Sequence, residues 1–220
     1  MSVEELFNVG AQYGFSKARR HPSTGKYIFG VKNNVEIFDL EKTQDKLETA
    51  AKFAAEVKQS GKNILFVSGK REVAAALRHA AQSVNQPFVA GRWIGGTLTN
   101  FGEITKRVDR LKKLRHEGES GQLKEKYTKK ERLLITREIE RLEERFGGVA
   151  DMDKLPGALF VIDPRDEATA VREARRMNIP VIALASSDCD YGVIDYVIPA
   201  NDSNIASIKY FIDTITKALK

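Results

Sequence analysis

Three stretches of the 220-residue chain carry residue types that could do chemistry. Ser68-Gly69-Lys70-Arg71 follows the apolar run Ile64-Leu65-Phe66-Val67 and has part of a phosphate-binding loop. A complete loop needs a glycine five residues before Gly69 and a Ser or Thr after the lysine. Ile64 and Arg71 stand there, so a helix start with basic residues describes the stretch better. Asp163 and Asp188 fall just beyond other apolar runs, where open α/β sheets place ligands. A metal-assisted or phosphoacceptor site is one reading of them; aspartates that cap a helix or shape a turn are the other. No lysine, histidine or third carboxylate stands in an obvious supporting place. Cys189, the single cysteine, lies between Asp188 and Asp190, whose charges disfavour a thiolate. His21, His79 and His116 lack metal-ligand spacing, and there is no serine elbow of the hydrolase type. The expectation is no catalytic residue, no metal and no cofactor.

A different kind of site is suggested by Gly91-Arg92-Trp93-Ile94-Gly95-Gly96-Thr97-Leu98-Thr99-Asn100-Phe101. Its glycines permit positive φ and close backbone approach. Arg92 offers a planar fork that suits carboxylate or phosphate. Trp93, the only tryptophan, either packs on the domain or stacks on a partner; a packing anchor, together with Gly95, Gly96 and Phe101, is the expectation.

The elements around these residues alternate. Ser2 and Glu5 form a capping box for a short helix carrying Leu6, Val9 and Tyr13 and ending at Gly14. A basic, aperiodic loop follows, from Lys17 to Lys26. Residues 27–31 and 35–38 read as strands joined by Lys32-Asn33-Asn34, a hairpin-type turn. A helix over residues 41–59 presents Leu47, Ala50, Ala51, Ala54 and Val57 on one face. Continuous apolar strands at residues 64–67, 158–162 and 181–185, and shorter ones at 87–90 and 196–198, predict a parallel sheet covered on both faces. Helices between them place Val73, Leu77 and Ala80, then Ala168, Val171 and Ala174, inward. Ser203 is expected to cap a last helix whose apolar side carries Ile205, Ile208, Ile212, Ile215 and Leu219.

The alternation is interrupted after Phe101. Phe101, Ile104, Val108, Leu111 and Leu114 make a narrow seam at spacings of three and four. A break at Gly118 and Gly121 follows. Thr128 with Glu131 then caps a second helix carrying Ile135, Ile139, Leu142 and Phe146. Two helices with facing seams predict an antiparallel coiled-coil hairpin, inserted as residues 101–150 into a discontinuous α/β domain of residues 1–100 and 151–220. Residues 101–146 hold fourteen Lys or Arg against ten Asp or Glu. With a formal net charge of +6, a salt-bridged solvated surface and an arm lying along a phosphate backbone are both open. No run approaches the ~18 apolar residues of a membrane span, and the acidic start has no secretory core, so a soluble intracellular protein is expected.

The separated blocks Tyr27-Ile28-Phe29-Gly30, Asp39-Leu40-Glu41-Lys42-Thr43, residues 91–101, Ala158-Leu159-Phe160-Val161-Ile162-Asp163 and Ile198-Pro199-Ala200-Asn201-Asp202 resemble the S-two family of small-subunit ribosomal proteins, bacterial type. The resemblance covers nearly the whole chain, and residues 91–101 are its most specific block. It implies a flavodoxin-like, doubly wound fold with an inserted hairpin. It also implies a cytoplasmic place in the small ribosomal subunit, contact with ribosomal RNA and other small-subunit proteins, ribosomal protein S-one being a possible one, and no catalysis. The chain departs from the family at Gly14-Phe15-Ser16, where Gly-His-Gln is usual, and at Arg20-His21-Pro22-Ser23, where Trp-Asn-Pro-Lys is usual. Candidate RNA contacts are Lys17, Arg19, Arg20, Lys26, Arg92, Lys106, Arg110, Lys113, Lys124, Lys126, Lys129 and Lys130. The rival readings are a nucleotide-binding α/β enzyme and a coiled-coil interaction scaffold.

Overall fold

A computed structural model describes residues 2–220, apart from the side chains of Lys124 and Glu125. Five parallel strands form the central sheet: β4 (Ile64–Ser68), β5 (Phe88–Ala90), β6 (Ala158–Ile162), β7 (Val181–Ala185) and β8 (Tyr196–Pro199). Their spatial order is β5-β4-β6-β7-β8. Counted within the sheet this is 2-1-3-4-5, one of the two common doubly wound orders. Strand alternation sends Phe66, Phe160, Ile182, Leu184 and Ile198 to one apolar core, and Leu65, Val67, Leu159, Val161, Ala183 and Val197 to the other. Helices α2 (Leu40–Gln59), α3 (Ala74–Ser83) and α8 (Ile205–Ala218) cover the first face. The second is covered by α7 (Ala168–Arg176), the segment around Trp93 and Leu98, and the first turns of α4 (Phe101–Glu119). Because both faces are covered, nearly every residue of β4, β6 and β7 is apolar.

A separate three-stranded antiparallel sheet has the order β1-β3-β2, with β1 (Tyr13–Ser16), β2 (Ile28–Lys32) and β3 (Val35–Phe38). The turn between β2 and β3 has positive φ at both Asn33 (50°) and Asn34 (63°), the requirement of a type I′ hairpin that asparagine tolerates.

Some expectations change. The first helix, α1 (Val3–Asn8), stops before Gly10, whose φ of +73° cannot continue it. Tyr13 therefore belongs to β1, paired with Ile37. The basic segment is not aperiodic: it forms 3-10 turns at Lys17–Arg19 and Pro22–Tyr27, the second with proline in its first turn, where no N–H is missed. In α7 the inner face is Ala170, Val171 and Ala174, and Ala168 is exposed. Asn204, not Ser203, caps α8: its Oδ1 accepts from Ala206 N at 3.0 Å. Ile205, placed in the first turn of that helix, is 42% exposed.

After α4 come the short α5 (Gln122–Lys126) and α6 (Lys129–Phe146). Thr128 and Glu131 cap α6 reciprocally. Ile104, Val108, Leu111 and Leu114 of α4 are buried, whereas α6 buries only Phe146. Two ion pairs join the helices: Arg110 to Glu138, with Nε 3.1 Å from Oε1, and Arg115 to Glu143.

Candidate nucleic-acid interface

The segment from Gly91 to Asn100 leaves β5 and delivers the chain into α4. Two glycines adopt backbone conformations closed to most residues, Gly91 with φ of +157° and Gly96 with +92°. Trp93 is buried and its indole Nε1 donates to Glu173 Oε1 at 3.1 Å. The same oxygen accepts Gly96 N at 2.8 Å. Glu173 Oε2 accepts Leu98 N at 3.1 Å and both Thr99 N and Thr99 Oγ1 at 3.2 Å. One carboxylate on α7 thus organises the whole turn. Burial pushes its pKa up, but the Gly96 N–H, the Trp93 indole, and the Leu98 and Thr99 N–H groups outweigh this and hold it below the ordinary glutamate value. Sequence reasoning missed Glu173. Nothing marks it on a helix of many charges except that it lies on the inner side, beside Val171 and Ala174, where an acid needs partners.

Of the four residues expected to anchor this segment by packing, Trp93 is buried, Phe101 and Gly96 are half-buried, and Gly95 is exposed. Arg92 points outward and is exposed.

The candidate cations differ in what they already contact. Arg19 binds Asp188 Oδ2 at 3.0 Å and stacks 4.1 Å from the Phe15 ring centroid. Arg165 shares the same carboxylate. Arg20 Nη1 lies 3.2 Å from Glu36 Oε1, an ion pair, and the fully buried Glu36 carboxylate accepts no hydrogen bond among the described residues. Both arginines therefore stitch the N-terminal turns to the body of the protein. Lys17 is exposed, and Lys26 Nζ sits 5.1 Å from the Tyr27 ring centroid. On α4, Lys106 pairs with Glu103 at 2.6 Å, Arg110 is engaged across to α6, and Lys113 is exposed. In α5, Lys126 Nζ donates to Gln122 Oε1 at 3.1 Å, while in α6 Lys129 and Lys130 are exposed with no ion pair among the described residues. The side chain of Lys124 lies outside the described residues.

The carboxyl ends of β4 and β6, the switch point of the sheet, do assemble a polar cluster. This corrects the expectation that Asp163 lacks supporting groups. Lys70 Nζ lies 2.8 Å from Asp163 Oδ2 and 3.6 Å from Asp202 Oδ1, and also donates to the Asp202 carbonyl. Ligand atoms of Asp163, Cys189 and Asp202 fall within 4.8 Å of one another. The lysine ammonium already supplies the positive charge this group of acids needs. Burial and the neighbouring Asp163 raise the pKa of Asp202, opposed by Lys70. Burial pushes Glu167, near Gly69, up to about 7 despite the Gly69 N–H. Burial and then the charges of Asp202, Asp163 and Asp188 push the Cys189 thiol well above its usual range, which disfavours the thiolate that a nucleophile needs. Asp163 Oδ1 also accepts Asp166 N at 3.2 Å, the turn-shaping role open to it from the sequence. Lys70, from the incomplete phosphate loop, is thus turned inward as a structural counter-ion and is not presented to a nucleotide.

What decides the identity is the whole-chain comparison. The profile of the family described as Ribosomal protein S2 matches residues 6–220. The chain belongs to this family. It is 41% identical over 218 residues to the small ribosomal subunit protein uS2 of Desulfovibrio desulfuricans, covering 99% of this chain and 84% of that one. As a member of the Ribosomal protein S2 family it is a structural constituent of the small ribosomal subunit and not an enzyme. The turn held by Glu173 contains the block that chiefly carries the resemblance, so the most recognisable sequence in this ribosomal protein is a piece of architecture.

Proposed function

We propose that the protein binds ribosomal RNA through cations displayed on two supports: the turn bearing Arg92, and the arm built from α4, α5 and α6. In this reading residues 101–150 form a coiled-coil hairpin inserted into a discontinuous domain of residues 1–100 and 151–220. The observation that carries it is the set of exposed lysines at the far end of the arm, Lys126, Lys129 and Lys130, which no carboxylate neutralises among the described residues. An α4 of 19 residues is about 28 Å long, enough to carry them well away from the sheet. Lysines on such a projection suit phosphates read by shape and position, since the deep major groove of A-form RNA admits no side-chain readout. Lys17, Lys26 and Lys113 are secondary contacts; Arg19, Arg20, Lys106 and Arg110 act on RNA only after leaving or sharing their present partners.

The test is equilibrium binding to small-subunit ribosomal RNA as salt is varied. Replacing Lys126, Lys129 and Lys130 by alanine is expected to flatten the slope of log K against log salt by about 0.7–0.9 for each phosphate no longer neutralised. A slope equal to the parent's removes the arm from the interface.

Protein neighbours are favoured by a second observation: Phe29 and Val31, on one side of the edge strand β2, are 81% and 50% exposed. An apolar pair of this kind suits a protein surface better than RNA. Ribosomal protein S-one is the neighbour the family resemblance suggests, and loss of its retention on subunits carrying Phe29→Ser is the corresponding check.

A further inference from the structure

Helix α7 has two sides of different character. Ala170, Val171 and Ala174 are buried against the sheet, and Glu173 reaches the turn at residues 93–99. The outer side consists of Ala168, Thr169, Arg172, Arg175 and Arg176, all exposed. Positions 172, 175 and 176 stand at i, i+3 and i+4, so the three side chains start about 5–6 Å apart on one side of the helix. None enters an ion pair among the described residues. The only acid of the helix, Glu173, has both oxygens occupied, and Glu167, just before it, is buried. Arg172 lies back along its own helix, with Nε to Ala168 O at 3.2 Å and Nη2 to Thr169 Oγ1 at 3.3 Å, leaving other donors of its fork free.

Arginines near a helix C-terminus complement its dipole. That accounts for Arg175 and Arg176, which lie in the last turn, but not for Arg172 or for a side without any carboxylate. Guanidinium forks in such a row match phosphate oxygens in planar, bidentate fashion. The support is stiff as well: Glu173 fastens α7 to the turn that displays Arg92, so little ordering is needed on binding.

We propose that the outer side of α7, through Arg172, Arg175 and Arg176, is a docking surface for the phosphate backbone of ribosomal RNA, distinct from the arm. It rests on the RNA-binding reading above and adds a second, globular contact to it. Arg172→Gln, Arg175→Gln and Arg176→Gln are combined in the full chain, with unchanged Trp93 emission as the check that the fold is intact. Binding to small-subunit ribosomal RNA is measured between about 50 and 200 mM salt beside the parent and the Lys126, Lys129, Lys130 variant. The expected result is a slope lowered by up to about 2, three phosphates at about 0.7 each. A parental slope in the α7 variant, with a lowered one in the arm variant, overturns the proposal and leaves the RNA reading standing. Parental RNA binding with failure to enter subunits overturns it in favour of an acidic protein partner. A parent chain that binds no RNA overturns both.

Discussion

Glu173 and Trp93 are 80 residues apart in sequence and joined by a hydrogen bond of 3.1 Å from indole to carboxylate. Around that bond the same carboxylate collects three backbone N–H groups and a hydroxyl, and the path of the chain into α4 depends on it. Glu173→Ala leaves several part-buried donors without an acceptor, at about 1–3 kcal/mol for such a group. A drop of about 3 kcal/mol in stability to denaturant is expected, with Trp93 emission shifted to the red. Unchanged emission and midpoint would show that water replaces the carboxylate at no cost.

The same residue sets a pH dependence. Its folded pKa is depressed, so its contribution is present above the unfolded value of about 4.5 and disappears as pH falls through the lower folded value. In Glu173→Gln the acid limb of the stability curve should become shallower. An identical acid limb would assign it to other carboxylates.

Glu167 acts in the opposite sense. Its folded pKa of about 7 exceeds the unfolded 4.5, so stability declines as pH rises from about 4.5 to 7 and stays reduced above. Glu167→Gln should remove this decline and raise stability at pH 8, on the order of 1 kcal/mol. Thermal unfolding at pH 5 and pH 8 measures the difference; equal shifts at both values would contradict it.

Lys70 holds together two acids at the switch point. Lys70→Met removes the cation between Asp163 and Asp202 and should cost about 3 kcal/mol, the scale for breaking a buried pair by deleting one partner. Adding Asp163→Asn should recover part of that deficit. If the double variant is less stable than the single one, the pair is held by something other than charge.

Between α4 and α6, packing should outweigh ion pairing. Leu111 is fully buried, and Leu111→Ala is expected to cost about 2–4 kcal/mol. Arg110 and Glu138 are both substantially solvent-exposed, and Arg110→Ala should cost less than about 1 kcal/mol. Hydrogen exchange of α4 and α6 amides compares the two, and equal deprotection would reverse the ranking.

Much of this protein is determined by the order of its residues alone. Continuous apolar strands foretold a parallel sheet, because β4, β6 and β7 are buried on both faces and tolerate few polar residues. The capping boxes of Ser2 with Glu5 and Thr128 with Glu131 are local interactions, and local interactions are legible in sequence. The incomplete phosphate loop and the separated family blocks pointed away from catalysis. Tertiary structure alone decided which charges are free. Arg19 and Arg20, candidates by composition, meet Asp188 and Glu36 on other elements, whereas Arg172, Arg175 and Arg176 enter no ion pair among the described residues. Likewise Lys70 turns inward to Asp163 and Asp202, and Glu173 reaches back to Trp93. Such pairings join residues from 16 (Arg20 and Glu36) to 169 (Arg19 and Asp188) positions apart. Sequence periodicity reports which side of an element faces the core, but not which partner the folded chain places opposite it.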